Sequence, residues 1–226
     1  MSNKMHSTIT IESIDSEFVP PQHKNAKLKD YLAKISSFLI PYFSVPNKRI
    51  PHRLVSSLAP PFFFKEFRRV YSDMKGPVLI LLFLSFILFY GLLSPERSLI
   101  SNIFLILKLT FGYWIFFSIM AFFLGYFCET CLTLSQYFSI SGYSLTGHCF
   151  VLVIAEILHQ EESNSIFLFL LTVFGGLATG RLIVIILART PKPAQRLLIC
   201  SCLACIHLMH LVYIHYAFMR RKLNLD

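Results

Sequence analysis

The sequence predicts an all-α integral membrane protein: a five-helix transmembrane bundle preceded by a partly disordered, amphipathic cytosolic N-terminal region. Hydrophobic residues make up 55% of the 226 residues, and 23 residues are phenylalanine, which exceeds what a water-soluble surface tolerates. The mean hydropathy is +0.61. Polar or proline-containing stretches separate five long apolar segments, at residues 77–93, 102–127, 140–158, 165–187 and 197–218. A helix needs about 17 residues or more to cross a bilayer, and each segment meets that length.

The first 75 residues form a predicted cytosolic region. Residues 1–27 are polar and are predicted to be disordered. In residues 28–40 and 61–75, apolar side chains recur at helical spacing opposite Lys and Arg residues, which is typical of helices that lie on an anionic membrane surface or dock on a partner. A nascent, mostly unfolded segment fits residues 28–40 as well. The first 37 residues lack the apolar stretch of a cleavable signal peptide, so we expect the first span to direct insertion.

The distribution of basic residues predicts the orientation in the membrane. Twelve of the 21 Lys and Arg residues precede residue 76. With a cytosolic N-terminus and five spans, cytosolic segments hold 15 of these residues and lumenal segments hold 4. Because cytosolic loops are enriched in Lys and Arg, we predict five spans within residues 76–218, followed by a short lumenal tail at 219–226. Three basic residues at 220–222 would lie in the lumen and so oppose this orientation, but the 12 basic residues ahead of the first span outnumber them.

The third apolar segment is the one around which we expect the others to be arranged. It is the only segment that opens on a small, polar motif, with Gly142, Tyr143, Ser144 and Gly147 ahead of its apolar run. Small and hydroxyl residues let helices approach closely in lipid, so this motif, with His148, predicts a surface for helix packing and for assembly with another protein. His148 within a span raises a functional question, but we interpret it as hydrogen-bonded to a neighbouring helix rather than as catalytic or metal-binding.

The fourth segment carries a second set of small residues, Gly175, Gly176 and Gly180. The Gly-x-x-x-Gly spacing of residues 176 and 180 places two bare patches of backbone on one helix face. The pattern predicts helix packing without specifying the partner.

Charged residues are few within the predicted spans. Lys108 and Glu156 are predicted to lie near the lumenal ends of the second and third spans. Opposite charges at similar depth in lipid are expected to pair, because an isolated one is costly. Arg181 lies close enough to its span end for its side chain to reach the interface.

The cysteine and histidine residues do not form a recognisable ligand set. Cys128 and Cys131 have the spacing of half a zinc site, but no second pair is near them in sequence. In the fifth segment only His207 with His210 could share an ion, and ligands from another helix would be needed. We therefore prefer interhelical hydrogen bonds for these histidines, and we predict no metal, cofactor or catalytic residue.

No pattern typical of an enzyme is evident. The spans lack a central Asp or Glu, and the sequence lacks a glycine-rich phosphate loop, an HExxH motif and a Ser-His-Asp arrangement. We predict that the protein is not an enzyme.

Two motifs carry a resemblance to a known family. The sequence D-M-K-G-P at residues 73–77 is similar to the D-L-Y-G-P motif of the Yip domain family, and G-Y-S-L at residues 142–145 is similar to that family's G-Y-S-L. The sequence G-H-C at 147–149 and the stretch from Gly175 to His207 resemble the branch called Yip domain family member three. Lys75 departs from the pattern, since it replaces a tyrosine.

The resemblance implies a Golgi protein of the early secretory pathway. It implies five spans, a cytosolic N-terminus, a lumenal C-terminus and assembly with a Yip member-four-like protein. Other Yip-family proteins, Rab GTPases and membrane lipids are further implied partners, whereas nucleic acid is not. The implied role is to maintain Golgi structure and vesicle traffic without catalysis.

A second class of function is left open by the residues themselves. In a small multi-pass transporter or ion-conducting protein, Lys108, His148, Glu156, Arg181 and the fifth-segment histidines would line a path. Inverted internal repeats would favour this alternative, and none is evident in the sequence.

Overall fold

A computed structural model describes residues 33–34, 36–37, 40–44, 46–58, 70, 72–91, 99–158 and 164–219. Within these residues every regular element is helical. The predicted disordered segment 1–27, most of the segment 61–75 and almost all of the tail 219–226 lie outside the described residues. The described part of the segment 28–40 is helical, and a helical turn continues through Pro41 to Phe43. By its internal contacts the chain divides into two units, Met1–Ile40 and Pro41–Asp226.

Two helices open the second unit. Helix α1 spans Ile50–Leu58 and follows a short 3-10 turn at Asn47–Arg49. Helix α2 spans Lys75–Gly91. Its first turn contains Pro77, which is tolerated there because the first backbone N–H groups of a helix have no partner within it.

The remaining helices form four longer helical segments, and three of these segments contain a turn with the wider π geometry. Helices α3 (Leu99–Leu107) and α4 (Tyr113–Phe127) join through the π segment Lys108–Gly112. Helix α5 spans Leu134–Ile157 without a break. Helices α6 (Asn164–Leu170) and α7 (Gly176–Leu187) join through the π segment Leu171–Gly175, and α8 (Pro193–Ile214) continues into the π segment His215–Met219.

Four segments of the described chain are long and apolar enough to cross a membrane: Leu99–Phe127, Leu134–Ile157, Ser165–Leu187 and Pro193–Ala217. They correspond to the second to fifth predicted spans. The helix of the first predicted span, α2, is also apolar but has only 17 residues. The structure thus supports a multi-pass membrane protein with four such helices.

Helix α5 begins well before the predicted start of its span at residue 140. The side chain of Thr133 accepts a hydrogen bond from the backbone N–H of Gln136 at 3.4 Å, and the Gln136 side chain accepts one from the backbone N–H of Thr133 at 3.0 Å. This reciprocal capping satisfies two donors at the helix start, so the helix extends through a polar stretch that hydropathy alone would exclude. Residues 142–149 consequently lie inside the helix instead of opening it.

Helix α5 is the centre of the second unit. In its most apolar stretch 78% of the residues are buried, compared with 22% for Leu99–Phe127, 44% for Ser165–Leu187 and 39% for Pro193–Ala217. A helix surrounded on all sides can keep polar groups only where neighbouring helices supply contacts. The polar residues of α5 are therefore held in place by contacts with the neighbouring helices.

The helix connections show which ends lie together. The hydroxyls of Thr130 and Thr190 are 3.0 Å apart, and Lys192 Nζ lies 2.6 Å from a carboxylate oxygen of Glu129. The connections after α4 and after α7 therefore meet at one end of the bundle. Ser139, near the start of α5, hydrogen-bonds Asp73 just ahead of α2, so α2 begins at this end as well.

Candidate functional site

A buried carboxylate joins the two motifs that were separate in the sequence. Asp73 is only 3% exposed and lies just ahead of α2. The Tyr143 hydroxyl donates to its Oδ2 at 2.8 Å, and the Ser139 hydroxyl donates to its Oδ1 at 3.2 Å. Both donors come from α5. The D-M-K-G-P and G-Y-S-L motifs are thus two sides of one contact, which we call the Asp73 clasp.

The glycines and the proline of the two motifs make this close approach possible. A Cβ atom on Gly76 would overlap the ring of Tyr143, and a Cβ atom on Gly142 would overlap the ring of Pro77. Larger side chains at either glycine would push α2 and α5 apart and remove the hydrogen bonds to Asp73. The motif residues therefore act together: the glycines let α2 and α5 pack closely, and the close packing brings Tyr143 and Ser139 within hydrogen-bond distance of Asp73.

The third partner of the clasp comes from the N-terminal side. Arg53 Nη1 of α1 lies 2.7 Å from Asp73 Oδ2, and its side chain is 12% exposed. A largely buried ion pair with further hydrogen bonds to the carboxylate holds its partners in one geometry. Ser56 and Ser57 of α1 are buried too, at 4% and 1% exposure. Helix α1 is consequently fixed to the membrane-spanning helices.

The second half of the small-residue motif packs against a different helix. A Cβ atom on Gly147 would lie 2.7 Å from the Ala178 Cβ and 2.8 Å from the Phe174 carbonyl oxygen. Gly142, Tyr143, Ser144, Gly147 and His148 are all buried within the chain. The contacts of this segment that the structure shows are therefore made within one molecule.

The glycines of the fourth span divide between an inner and an outer face. A Cβ atom on Gly175 would lie 3.2 Å from Leu211 of α8, so this residue packs internally. At Gly176 and Gly180 such an atom would meet nothing within 4 Å in the described part of the chain. The Gly-x-x-x-Gly face, defined as Gly176 and Gly180, is therefore open.

Three histidines and a tyrosine meet in the core between α4, α5 and α8. The ring centroid of His148 lies 4.5 Å from that of His207 and 5.4 Å from that of His210. The Tyr113 ring stacks on His210 with centroids 3.4 Å apart and planes 4° apart. We refer to these four residues as the histidine cluster.

The predicted interhelical hydrogen bonds are present for two of the histidines. His207 Nδ1 lies 3.0 Å from the Tyr113 hydroxyl, and His210 Nε2 lies 3.2 Å from the Leu109 carbonyl oxygen. Both ring nitrogens of His148 are buried, and its ring packs against those of the other two histidines. The hydrogen bond expected for His148 stays a prediction.

The histidine cluster is not arranged as a metal centre. Among the described residues, no group of three His, Cys, Asp or Glu side chains could hold a metal ion. Cys149, next to His148, instead lies with its Sγ 3.9 Å from the Ile80 carbonyl oxygen of α2. Cys128 is buried and Cys131 is exposed, and both are free thiols.

Lys108 and Glu156 were predicted to form an intramembrane ion pair. Two other ion pairs are seen among the described residues, Arg53 with Asp73 and Lys192 with Glu129. Lys108 is exposed at the start of its π segment, while Glu156 is half-buried near the end of α5. The pairing of these two residues stays a prediction.

Sequence reasoning missed several residues that contact Asp73 or the histidines. It did not single out Arg53, Ser139 or Tyr113. Arg53 is one of many basic residues in the N-terminal region, and nothing in its local pattern marks it as buried. Asp73 did carry a signal, since an acidic residue directly ahead of an apolar span is costly in lipid unless it is partnered.

The fold and the clasp define a class of protein: a multi-pass helical membrane protein whose central helix is fastened to the preceding helices by two short motifs. Comparison with known families is specific. The chain belongs to the family described as the YIPF3 C-terminal domain, whose model matches residues 47–219. This match confirms the predicted resemblance, and the matched range includes α1. No solved structure matches the chain.

Proposed function

We propose that the protein is a non-enzymatic, five-span Golgi membrane protein that assembles with other Yip-family proteins and thereby maintains Golgi structure and early secretory traffic. The membership of the YIPF3 C-terminal domain family supports this reading. The proposed partners are a Yip member-four-like protein, other Yip-family proteins and Rab GTPases. In this proposal the N-terminus is cytosolic and the C-terminus lumenal.

The proposal of five spans requires that α2, the helix of the first predicted span, crosses the membrane in addition to the four long helices. Its 17 residues reach the lower limit for crossing a bilayer, which is about 17. It runs parallel to α5, because Asp73 bonds Ser139 near the start of α5 whereas Ile80 contacts Cys149 farther along. Because α2 runs alongside the membrane-spanning helix α5 and begins at the same end of the bundle, it is well placed to cross the membrane next to α5.

One observation carries the proposed assembly: the open Gly176 and Gly180 face on an apolar helix. Association of helices in lipid depends on close contact of backbones, because lipid tails are as apolar as the side chains they would replace. Apart from the adjoining residues and the backbone of the same helix, the described chain places no atom within 4 Å of a Cβ on either residue. A helix of a Yip-family partner can therefore approach here without any change in the fold.

The experiment compares leucine substitutions on the Gly-x-x-x-Gly face with a leucine substitution at another exposed glycine of the chain. Gly176→Leu and Gly180→Leu should abolish co-purification of Yip-family partners in mild detergent and disperse the protein from the Golgi. Gly112→Leu is the matched control, since a Cβ there meets only the Lys108 side chain at 3.8 Å, an ordinary contact. Full retention of partners and Golgi localisation in both variants of the face would contradict the proposal.

A Gly147→Leu variant is unsuitable for this purpose. The added side chain would collide with Ala178 and the Phe174 carbonyl within the same chain. Loss of partners would then report misfolding rather than a lost interface.

The histidine cluster keeps the transporter or ion-conducting alternative open. Of the residues proposed to line a path, His148, His207 and His210 do come together in the core, whereas Lys108 is exposed. His148→Gln tests the choice. Under the assembly proposal this variant retains function; if function is lost while assembly and localisation stay normal, the alternative takes first place.

A further inference from the structure

Helix α1 and the turn ahead of it are tied to the start of α2 at two points. The Tyr42 backbone carbonyl accepts a hydrogen bond from the backbone N–H of Met74 at 3.0 Å. Farther along the chain, Arg53 of α1 pairs with Asp73. Because Asp73 and Met74 directly precede α2, α1 is held beside the entry of that helix.

The contact with α5 sets the depth of α1 in the membrane. Asp73 accepts a hydrogen bond from Ser139, which lies one to two turns after the start of α5 at Leu134. At 1.5 Å per residue, Ser139 is about 8 Å along a helix of about 36 Å, whereas the hydrocarbon core is about 30 Å thick. The Asp73 clasp is therefore about 5 Å from the boundary between the acyl chains and the headgroups, and α1 lies at that level.

The faces of α1 are the reverse of those of a helix on a water-exposed surface. The polar residues Ser56 and Ser57 are buried against the protein. The apolar side chain of Val55 is 67% exposed, and that of Phe43 in the preceding turn is 42% exposed. Exposed apolar side chains beside cations are typical of segments at the membrane interface, where the apolar part meets acyl chains. The outward side of α1 thus suits lipid better than water.

Basic side chains occupy the same outward side. Lys48 and Arg49 lie in the turn directly ahead of α1, His52 lies in its first turn, and all three are exposed. His52 and Val55 are three residues apart, which places them on one side of the helix. We refer to Lys48, Arg49, His52 and Val55 as the α1 basic face.

None of the carboxylates in the described part of the chain pairs with this face. These carboxylates belong to Asp73, Glu129 and Glu156. Asp73 pairs with Arg53, and Glu129 pairs with Lys192. Glu156 lies near the other end of α5. The positive charge of the α1 basic face is consequently available to an external anion.

We propose that the α1 basic face binds the headgroup phosphates of anionic phospholipids in the leaflet around this end of the bundle. Lys48 and Arg49 meet the phosphate oxygens, and the planar guanidinium group of Arg49 can donate two parallel hydrogen bonds. Val55 meets the upper part of the acyl chains. Phospholipid is favoured over an acidic protein because the face lies near headgroup depth and combines cations with an exposed apolar side chain.

Selective retention of lipid tests the proposal. The full-length protein is purified in a mild non-ionic detergent with equal amounts of phosphatidylserine and phosphatidylcholine, and the retained lipids are counted by mass spectrometry. We expect the unaltered protein to retain phosphatidylserine preferentially. Each cation near an anionic surface contributes about fivefold to lipid affinity, so Lys48→Gln with Arg49→Gln should lower the preference at least about tenfold. Lys48→Arg with Arg49→Lys keeps both charges and should retain it.

The matched control removes two other cations at the same end of the bundle. Lys192 directly precedes α8 and Arg196 lies in its first turn, and both are exposed. Lys192→Gln with Arg196→Gln changes the net charge equally and should keep most of the preference. An equal loss in the two double variants would mean a general attraction of anionic lipid to this end, and would overturn the assignment to α1. An unchanged preference in the α1 double variant would overturn it too.

An acidic protein is the other class of partner that fits a basic face. If the α1 double variant kept its phosphatidylserine but lost a protein that co-purifies with the unaltered chain, the face would be a protein-binding surface and the lipid proposal would be wrong. Lipid retention is measured on purified protein without Yip-family partners. Its outcome is therefore separate from that of the proposed assembly function.

Discussion

At the scale of single residues, Asp73 is the position on which most contacts of the candidate site converge. It accepts hydrogen bonds from Tyr143 and Ser139 and pairs with Arg53. A buried charge is stable only when such partners compensate for its lost hydration. The acidic residue of the family motif is therefore explained by tertiary contacts and requires no catalytic role.

Asp73→Asn should destabilise the protein by about 3 kcal/mol, because removal of one partner of a buried ion pair leaves the other charge without compensation from that partner. The free energy of unfolding is measured by denaturant titration in detergent micelles. Glu129→Gln is the control: its ion pair with Lys192 is 58% and 57% exposed, and exposed pairs contribute less than about 1 kcal/mol. Equal losses in the two variants would show that the clasp is no stronger than a surface pair.

At the scale of helices, glycine has opposite roles on the inner and outer faces. On α5, Gly142 and Gly147 admit Pro77 and the Phe174 backbone into direct contact. On α7, Gly176 and Gly180 leave open space. Small residues in a sequence thus indicate a close approach, but only the packed structure shows whether the approach is made within the chain.

Gly142→Ala and Gly180→Ala should change stability in opposite directions. The first adds a methyl group that overlaps Pro77 and should cost about 1–3 kcal/mol through overpacking. The second places a methyl group in open space and should be neutral or gain up to about 1 kcal/mol from the better helix propensity of alanine. Both are measured by unfolding in the same detergent. A neutral Gly142→Ala would mean that α2 and α5 do not pack as closely as described.

At the scale of the whole molecule, the charge distribution and the helix connections agree. The basic loop after α7 and the loop after α4 meet through Thr130 and Thr190, at the end of the bundle where α2 begins. In the proposed orientation this end faces the cytosol, where the positive-inside rule places basic loops such as the one after α7. The proposed orientation therefore puts both connections on the same, cytosolic side.

Protease protection in sealed Golgi vesicles checks that orientation. A tag at Met1 should be digested and a tag at Asp226 protected, since five spans place the two termini on opposite sides. Disrupting the vesicles with detergent should expose both tags, which controls for resistance to the protease. A protected Met1 tag with a digested Asp226 tag would reverse the topology, and protection of neither would indicate an even number of spans.

Prediction from sequence succeeded where a property is local and failed where it depends on contacts. Residues 165–187 were predicted as a span and form the segment Ser165–Leu187. Helix α5 begins at Leu134, six residues ahead of the predicted span, because hydropathy does not register the reciprocal capping of Thr133 and Gln136. The pairing of His148 with His207 and His210 could not be predicted, since residues far apart in the chain are brought together by the packing of α5 and α8.

By itself the sequence determined the class of the protein, the apolar segments and the family, because composition, hydropathy and short motifs are carried by neighbouring residues. Only the tertiary structure decided that the D-M-K-G-P and G-Y-S-L motifs meet at Asp73, and that Gly147 lies inside while Gly176 lies outside. The physical reason is that lipid solvates every apolar helix face alike. Which faces pack is then decided by the fit of small residues and by the pairing of a few buried polar groups across helices.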